Sequence, residues 1–101
     1  MEDIEIFRKK LIFKSSHRGV KEMDILIGNF VLKFISLFDI KELICLDSLL
    51  DFEDDIIYKI IIGKLDIPDA LNSRVTHLLI DYSNNKDNFT KLRWLKLHTS
   101  N

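Results

Sequence analysis

The chain has 101 residues, of which 47% are hydrophobic, and it contains three Gly and one Pro. This length suits a single domain with a substantial core, and the few turn-forming residues predict that regular elements dominate. Basic residues number 15 and acidic residues 16, so the net charge of -1 gives no overall attraction to nucleic acid or to anionic membranes.

The first three predicted helices follow from apolar residues that recur at helical spacing. The stripe of the first helix is formed by Ile4, Phe7 and Leu11. The stripe of the second is formed by Met23, Leu26, Ile27, Phe30, Val31 and Phe34. The stripe of the third is formed by Ile40, Leu43, Ile44 and Leu50. Asp39 stands just before the third stripe, where an aspartate is a favourable N-cap.

The segment "EDDIIYKIIIGKL" is ambiguous between helix and strand. Its β-branched residues favour a strand, whereas the isoleucine pairs at 56/57 and 60/61 recur at the i, i+4 spacing that favours a helix. Asp54 or Asp55 can cap the start of such a helix, and Gly63 can end it. We predict a helix, because no neighbouring segment alternates as a partner strand would need to.

A last clear helix is predicted to begin at Pro68 and Asp69. Its apolar stripe is formed by Leu71, Val75, Leu78, Leu79 and Tyr82. A further amphipathic turn or two is indicated in the tail by Phe89, Leu92 and Leu95. The predicted fold is therefore all-α, a compact single-domain bundle of about five helices over residues 1–101, with the tail after about residue 84 unplaced.

The compartment is predicted from the start of the chain, from its one cysteine and from its apolar stretches. The start, "MEDIEIF", carries acids where a secretory or mitochondrial leader would carry bases. Cys45 lies in an apolar run, which predicts a small buried hydrophobe in a reducing compartment. The longest apolar stretches contain Lys33 and Lys59, and both are shorter than the roughly 20 residues that span a bilayer. We therefore expect a soluble, cytoplasmic protein without direct membrane insertion.

The stretch "SSHRGVKEMD" separates the first two stripes and concentrates charge around a glycine. Gly19 permits positive φ at a helix end, and Glu22 falls in the next helix's first turn, where a carboxylate suits the dipole. A simple helix–helix turn explains these two residues but leaves His17, Arg18 and Asp24 unexplained. Arg18 offers a fork of donors for a carboxylate or phosphate. Gly19 leaves backbone bare, so another surface could approach it closely.

The segment "RKKLIFKSSHRGVKEMDILIGNFV" resembles the opening of the succinate dehydrogenase assembly factor 2 family, small flavinylation factors of bacteria and mitochondria. The hallmark of that family is an Arg-Gly-x-x-Glu stretch followed by an Asp two residues on, which Arg18, Gly19, Glu22 and Asp24 match. Downstream, "LLDFEDDIIYKIIIGKLDIP" resembles the family's acidic-then-apolar segment. The resemblance covers roughly residues 9–79, and it departs from the family at His17, where a second Arg is usual.

The resemblance implies a five-helix assembly factor that is not an enzyme and has no catalytic residue. Such a factor binds the flavoprotein subunit of succinate dehydrogenase and promotes covalent attachment of FAD to a histidine of that subunit; in some bacteria it also acts on fumarate reductase. FAD then belongs to the client and is not held tightly by this chain, which we expect to be bacterial and monomeric when free. We predict that the flavoprotein is contacted by His17, Arg18, Gly19, Glu22 and Asp24.

Three of these contact residues have an expected role in this hypothesis. Gly19 would let the client backbone or cofactor region come close, and Arg18 would pair with a client carboxylate. Glu22 would order polar groups near the attachment site.

Other chemistry receives less support from the residues. The histidines stand in separate segments without metal-ligand spacing: His17, His77 and His98. No phosphate-binding glycine loop or dinucleotide fingerprint is present. The acids at 53–55 are interpreted as a solvated helix start rather than an acid/base pair.

Two alternative functions remain open at this point. The first is a generic helical interaction domain, with Phe89 and Trp94 in an apolar, basic tail as a contact patch. The second is a small helix-turn-helix nucleic-acid binder, suggested by the basic first helix and the tight turn. The second helix is mostly apolar with a single lysine, however, whereas a recognition helix needs polar base-reading side chains. We therefore expect no nucleic-acid binding.

Overall fold

The computed structural model describes residues 3–85, and within that range it contains helices and no strand. The α-helices are α1 (Ile4–Ser16), α2 (Lys21–Phe34), α3 (Ile40–Leu50), α4 (Asp54–Ile61) and α5 (Arg74–Ser83). Short 3-10 helices follow α2 and precede α5, at Ile35–Leu37 and Asp69–Leu71. The all-α prediction and the five predicted helices are confirmed. The predicted tail turns at Phe89, Leu92 and Leu95 lie outside the described residues, and the single-domain assignment of residues 1–101 stays a prediction.

The first two helices form a closely packed hairpin. α1 begins after Asp3, whose side chain accepts a hydrogen bond from the Glu5 N–H at 2.8 Å. The predicted apolar stripe of α2 is buried except for Phe34, which packs half-buried against the core. At Gly28, a Cβ would lie 3.3 Å from the Ser16 Cβ. A Cβ at position 28 would therefore make a tight contact, and Ser16 at the end of α1 would have to shift by a few tenths of an ångström.

α3 begins as predicted but turns a different face to the core. Asp39 is its N-cap, and a capping box forms with Glu42, whose backbone N–H donates to Asp39 Oδ1 at 2.9 Å. Its buried residues are Leu43, Leu46, Leu49 and Leu50. Ile40 and Ile44, which the sequence assigned to the apolar stripe, are 47% and 55% exposed. That part of the prediction is wrong because single apolar residues are common on protein surfaces and do not define the core face alone.

α4 is a helix, as predicted, but its cap differs. The N-cap residue is Glu53, which makes no side-chain capping bond, and Asp54 and Asp55 lie inside the first turn. The predicted end at Gly63 is confirmed, since Gly63 has φ +79° and follows the C-cap residue Ile62. The Gly63 N–H donates to the Ile60 carbonyl at 3.2 Å.

α5 starts later than predicted. Pro68 precedes only the 3-10 helix of residues 69–71, and α5 itself begins after Ser73. The Ser73 hydroxyl accepts a bond from the Thr76 N–H at 3.4 Å, which satisfies one of the unpaired donors at the helix start. The proline and the serine are both helix-start signals, and the serine begins the longer element.

The helices share one core, centred on the side chains of Phe30, Phe38, Leu43 and Leu46. Cys45 is half-buried at its edge and not a fully buried hydrophobe. α1 runs beside α3 in the same direction: the Arg8 guanidinium donates to the Phe38 carbonyl near the start of α3, and Lys14 contacts Asp47 further along. The end of α1 therefore lies beside the end of α3. None of the helices between residues 3 and 85 is long and apolar enough to cross a bilayer.

Candidate functional site at the turn between α1 and α2

The turn between α1 and α2, residues 17–20, contains a glycine in a conformation that side chains rarely adopt. Gly19 has φ +106°, and among residues 3–85 no heavy atom beyond its chain neighbours lies within 4 Å of the position where a Cβ would stand. The residue is exposed. The predicted positive φ is thus confirmed, and the bare backbone at Gly19 faces open space on the surface.

The Arg18 side chain turns inward, away from solvent. Its Nε donates to Asp54 Oδ1 at 2.5 Å, and the two side chains are only 6% and 12% exposed. Its Nη1 donates to the Leu50 carbonyl at 2.8 Å, and its Nη2 donates to the Phe52 carbonyl. Both carbonyls lie at the end of α3 and just after it, where helix carbonyls lose their intrahelical partners. Arg18 therefore caps α3 and binds the first turn of α4.

Asp24 fixes the backbone of the same turn. Its Oδ1 accepts a hydrogen bond from the Arg18 N–H at 2.6 Å. Asp24 lies in the first turn of α2, where a carboxylate also suits the helix dipole. The N-cap residue of α2, Val20, makes no side-chain capping bond. The motif thus places Arg18, Gly19 and Asp24 together, with the backbone of Arg18 tied to α2 and its side chain tied to α3 and α4.

His17 and Glu22 lie on either side of this anchored centre. The His17 ring stacks on Phe13 with centroids 3.8 Å apart and planes at 11°, and its Nδ1 lies 2.8 Å from the Phe13 carbonyl oxygen. Both rings are exposed. Glu22 is half-buried in the first turn of α2, and among residues 3–85 its carboxylate has no hydrogen-bond or ion-pair partner.

An open groove of about 530 Å³ runs beside the turn. Its lining residues are Lys14, His17, Arg18, Val20, Leu50, Phe52, Glu53, Asp54 and Asp55. The Lys14 ammonium lies 2.8 Å from Asp47 Oδ1 and also pairs with Asp51. Partial burial acts to lower the pKa of Lys14, but the hydrogen bonds and charges of Asp47 and Asp51 outweigh it and raise that pKa above 10.5.

Two expectations about this site are corrected by the geometry. The guanidinium of Arg18 is hydrogen-bonded inside the fold, so its donors are not exposed for a client carboxylate. Asp54 is not part of a solvated helix start, because it is largely buried against Arg18. Sequence reasoning missed Asp54 as a partner, since the two residues are far apart in the chain and only the fold brings them together.

Metal chemistry finds no support in the part of the chain that the structure describes, where no three His, Cys, Asp or Glu side chains converge. The cations of the groove, Lys14 and Arg18, are both neutralised by carboxylates. From residues 3–85 the groove therefore presents no unpaired lysine or arginine that would hold an anionic ligand.

Comparison with known proteins decides the family. Residues 9–83 match the family model described as flavinator of succinate dehydrogenase. The chain belongs to that family. The matched range contains the whole α1–α2 turn together with the Leu50, Phe52 and Asp54 partners of Arg18.

Individual relatives agree with the family match. The chain is 34% identical over 90 residues to "Succinate dehydrogenase assembly factor 2, mitochondrial" of Debaryomyces hansenii, covering 85% of this chain and 63% of that protein. It is 31% identical over 85 residues to the protein of the same name from Dictyostelium discoideum, covering 84% and 60%. It is 34% identical over 76 residues to "FAD assembly factor SdhE" of Acetobacter pasteurianus, covering 75% and 70%.

Two consequences follow from these relatives. The matches span only about three-fifths of the length of the two mitochondrial proteins. The expectation of a cytoplasmic bacterial protein is wrong by this comparison, since several relatives are named as mitochondrial. The acidic residues near the start of this chain therefore did not identify the compartment.

Proposed function

We propose that this chain is an assembly factor that binds the flavoprotein subunit of succinate dehydrogenase and promotes covalent attachment of FAD to that subunit. The observation that carries the proposal is the family match over residues 9–83, because it spans the α1–α2 turn and every residue that Arg18 contacts. The chain contributes no catalytic residue in this proposal. It acts by binding, and the chemistry takes place on the client.

The geometry of the turn supports a docking role. Gly19 exposes its backbone to open space, so a client segment can reach van der Waals contact there without meeting a side chain. Beside it, His17 is exposed and Glu22 has no partner in residues 3–85, so both can meet polar groups of the client. In this proposal Arg18 and Asp24 act differently from those three residues, because they hold the turn in shape from within.

A docked turn can promote attachment by positioning. Covalent attachment requires a flavin carbon and a client histidine to be held in reacting geometry, and holding reactants in place lowers a barrier by about 7–11 kcal/mol in the best cases. A preorganised surface that orders a mobile client segment would supply part of that effect. The proposal places FAD on the client, which is supported by the pairing of Lys14 and Arg18 with carboxylates in this chain's groove.

Reconstitution tests this function directly. Flavoprotein subunit purified without covalent flavin is incubated with FAD, with and without the chain, and covalent flavin is read as fluorescence on a denaturing gel. We expect the chain to accelerate attachment and to co-elute with the subunit in size-exclusion chromatography. A Phe30→Asp chain is the control, since Phe30 is fully buried and the variant cannot form the core. Equal attachment with the folded chain, with the control and without either would overturn the proposal.

A further inference from the structure

We propose that Asp54 is a positioning residue for client docking: through Arg18 it locks the α1–α2 turn onto the α3–α4 turn, so that both turns form one docking surface. This inference rests on the proposed function. It also assigns to Arg18 a role inside the fold in place of a direct contact with the client.

The guanidinium of Arg18 is fully engaged with the end of α3 and the start of α4. Each of its three guanidinium nitrogens donates to a partner in residues 50–54, namely Asp54 Oδ1 and the carbonyls of Leu50 and Phe52. The planar fork of arginine suits such a set of fixed acceptors, and lysine could not replace it. Asp54 supplies the only carboxylate among these acceptors, so it neutralises the guanidinium that bonds the two carbonyls.

The hairpin of α1 and α2 does not require the link between Arg18 and Asp54. α1 and α2 already pack closely, with the Ser16 Cβ 3.3 Å from the position of a Cβ on Gly28. Asp24 already holds the Arg18 N–H from α2. A buried ion pair is weak support for stability, and one recognised role for such pairs is to specify a unique arrangement. Here the arrangement that the pair specifies is the position of the α1–α2 turn relative to α3 and α4.

The Arg18–Asp54 pair lies where the α1–α2 turn meets the α3–α4 turn, residues 51–53. Arg18 and Asp54 lie together in the wall of the open groove, with His17 and Val20 of one turn and Phe52 and Glu53 of the other. Gly19 follows Arg18 directly in the chain. The Arg18 backbone is bonded to Asp24 and its side chain to Asp54, so the adjacent Gly19 is held at a fixed position beside the groove. A client that contacts Gly19 would therefore meet the α3–α4 turn at the same time.

The first test needs no client and measures amide hydrogen exchange in the full chain by NMR. In Asp54→Asn we expect the Arg18 amide to lose about ten times more protection, through local opening, than the Lys64 amide, which donates to the Lys59 carbonyl at 2.9 Å. Asp47→Asn is the matched control, because Asp47 also pairs with a cation near the end of α1, Lys14, but is 42% exposed. Unchanged protection at Arg18, or an equal loss at Lys64, would overturn the inference.

The second test uses the attachment assay at a temperature where all variants are folded. A turn that is competent for only about a tenth of the time weakens apparent affinity about tenfold. We therefore expect Asp54→Asn to raise about tenfold the concentration of the chain that gives half-maximal stimulation, with an unchanged maximal rate of flavin attachment. Asp54→Glu restores the carboxylate and should recover most of the affinity for the flavoprotein subunit. Equal effects of Asp54→Asn and Asp47→Asn would contradict the positioning role. A wild-type chain without any effect would overturn the proposed function, and the exchange test would still decide whether Asp54 holds the turn.

Discussion

Two turns of this molecule use glycine in the same way but are held in different ways. Gly19 and Gly63 have φ of +106° and +79°, and within residues 3–85 neither would place a Cβ within 4 Å of a heavy atom beyond its chain neighbours. The turn at Gly63 is closed by the backbone of its own helix: the Lys64 and Leu65 N–H groups both donate to the Lys59 carbonyl, at 2.9 and 3.2 Å. This turn needs a glycine and little else.

The turn at Gly19 is held by side chains from elsewhere in the fold. Asp24 of α2 accepts from the Arg18 N–H, and Asp54 of α4 binds the Arg18 guanidinium. A turn that is hydrogen-bonded only to its own helix has a fixed conformation, but these bonds do not fix its position relative to other helices. A turn that is bonded to side chains of other helices is fixed in position as well. The difference shows that Arg18, Asp24 and Asp54 specify where Gly19 lies, in addition to the conformation that it adopts.

The largest loss of stability is expected for Arg18→Ala, which tests whether distant side chains hold the turn at Gly19. The variant leaves the largely buried Asp54 carboxylate without its partner, which costs about 3–5 kcal/mol of unfolding free energy. Arg74→Ala is the matched control, because Arg74 also pairs with a distant carboxylate, Glu42 at 2.8 Å, but is 66% exposed. We expect the control to cost less than about 1 kcal/mol. Urea denaturation measures both, and similar costs would show that the α1–α2 turn is not anchored by its buried pair.

A smaller loss of stability is expected when Gly19 or Gly63 is replaced by alanine. At positive φ an L side chain costs roughly 1–2 kcal/mol, and neither position adds a steric clash. Gly19→Ala and Gly63→Ala should therefore lower the unfolding free energy by similar amounts in thermal or urea unfolding. A Gly19 variant that costs several times more than the Gly63 variant would mean that packing around the first turn is tighter than the structure shows.

The smallest loss of stability is expected when Lys14 is replaced. This residue joins α1 to α3 beside the α1–α2 turn. Its side chain is 37% exposed, so Lys14→Gln should cost less than about 1 kcal/mol and less still in high salt. The raised pKa means that the folded state binds the Lys14 proton more tightly than the unfolded state does. The stabilisation is therefore complete below pH 10.5 and is lost as the pH rises through the folded pKa. Urea unfolding of both proteins should show the difference between wild type and Lys14→Gln vanishing at alkaline pH; a difference that grows there would contradict this account.

Local signals predicted much of the fold and part of the site. The apolar period of α2, the N-cap Asp39 and the end of α4 at Gly63 are each encoded within a few neighbouring residues, and all three are confirmed. The start of α5 was misplaced, because Pro68 and Ser73 both carry helix-start chemistry and the sequence does not rank them.

The inward turn of Arg18 could not be read from the sequence at all. Its acceptors are two backbone carbonyls and Asp54, more than 30 residues further along the chain, so only the parallel packing of α1 beside α3 brings them within reach. The motif nevertheless identified the right turn, because glycine and its charged neighbours are close in sequence. The contacts that His17, Gly19 and Glu22 make with a client stay predictions.

Arginine at each of the two glycines gives the most direct test of the central claim, that the exposed turn at Gly19 is where the client docks. Gly19→Arg and Gly63→Arg impose the same kind of backbone strain, and both side chains enter open space, so circular dichroism should show both variants folded with similar thermal stability. In the attachment assay with flavoprotein subunit and FAD, we predict that Gly19→Arg loses most of the stimulation of covalent flavin while Gly63→Arg retains it. Full stimulation by a folded Gly19→Arg chain, or an equal loss in both variants, would contradict the account.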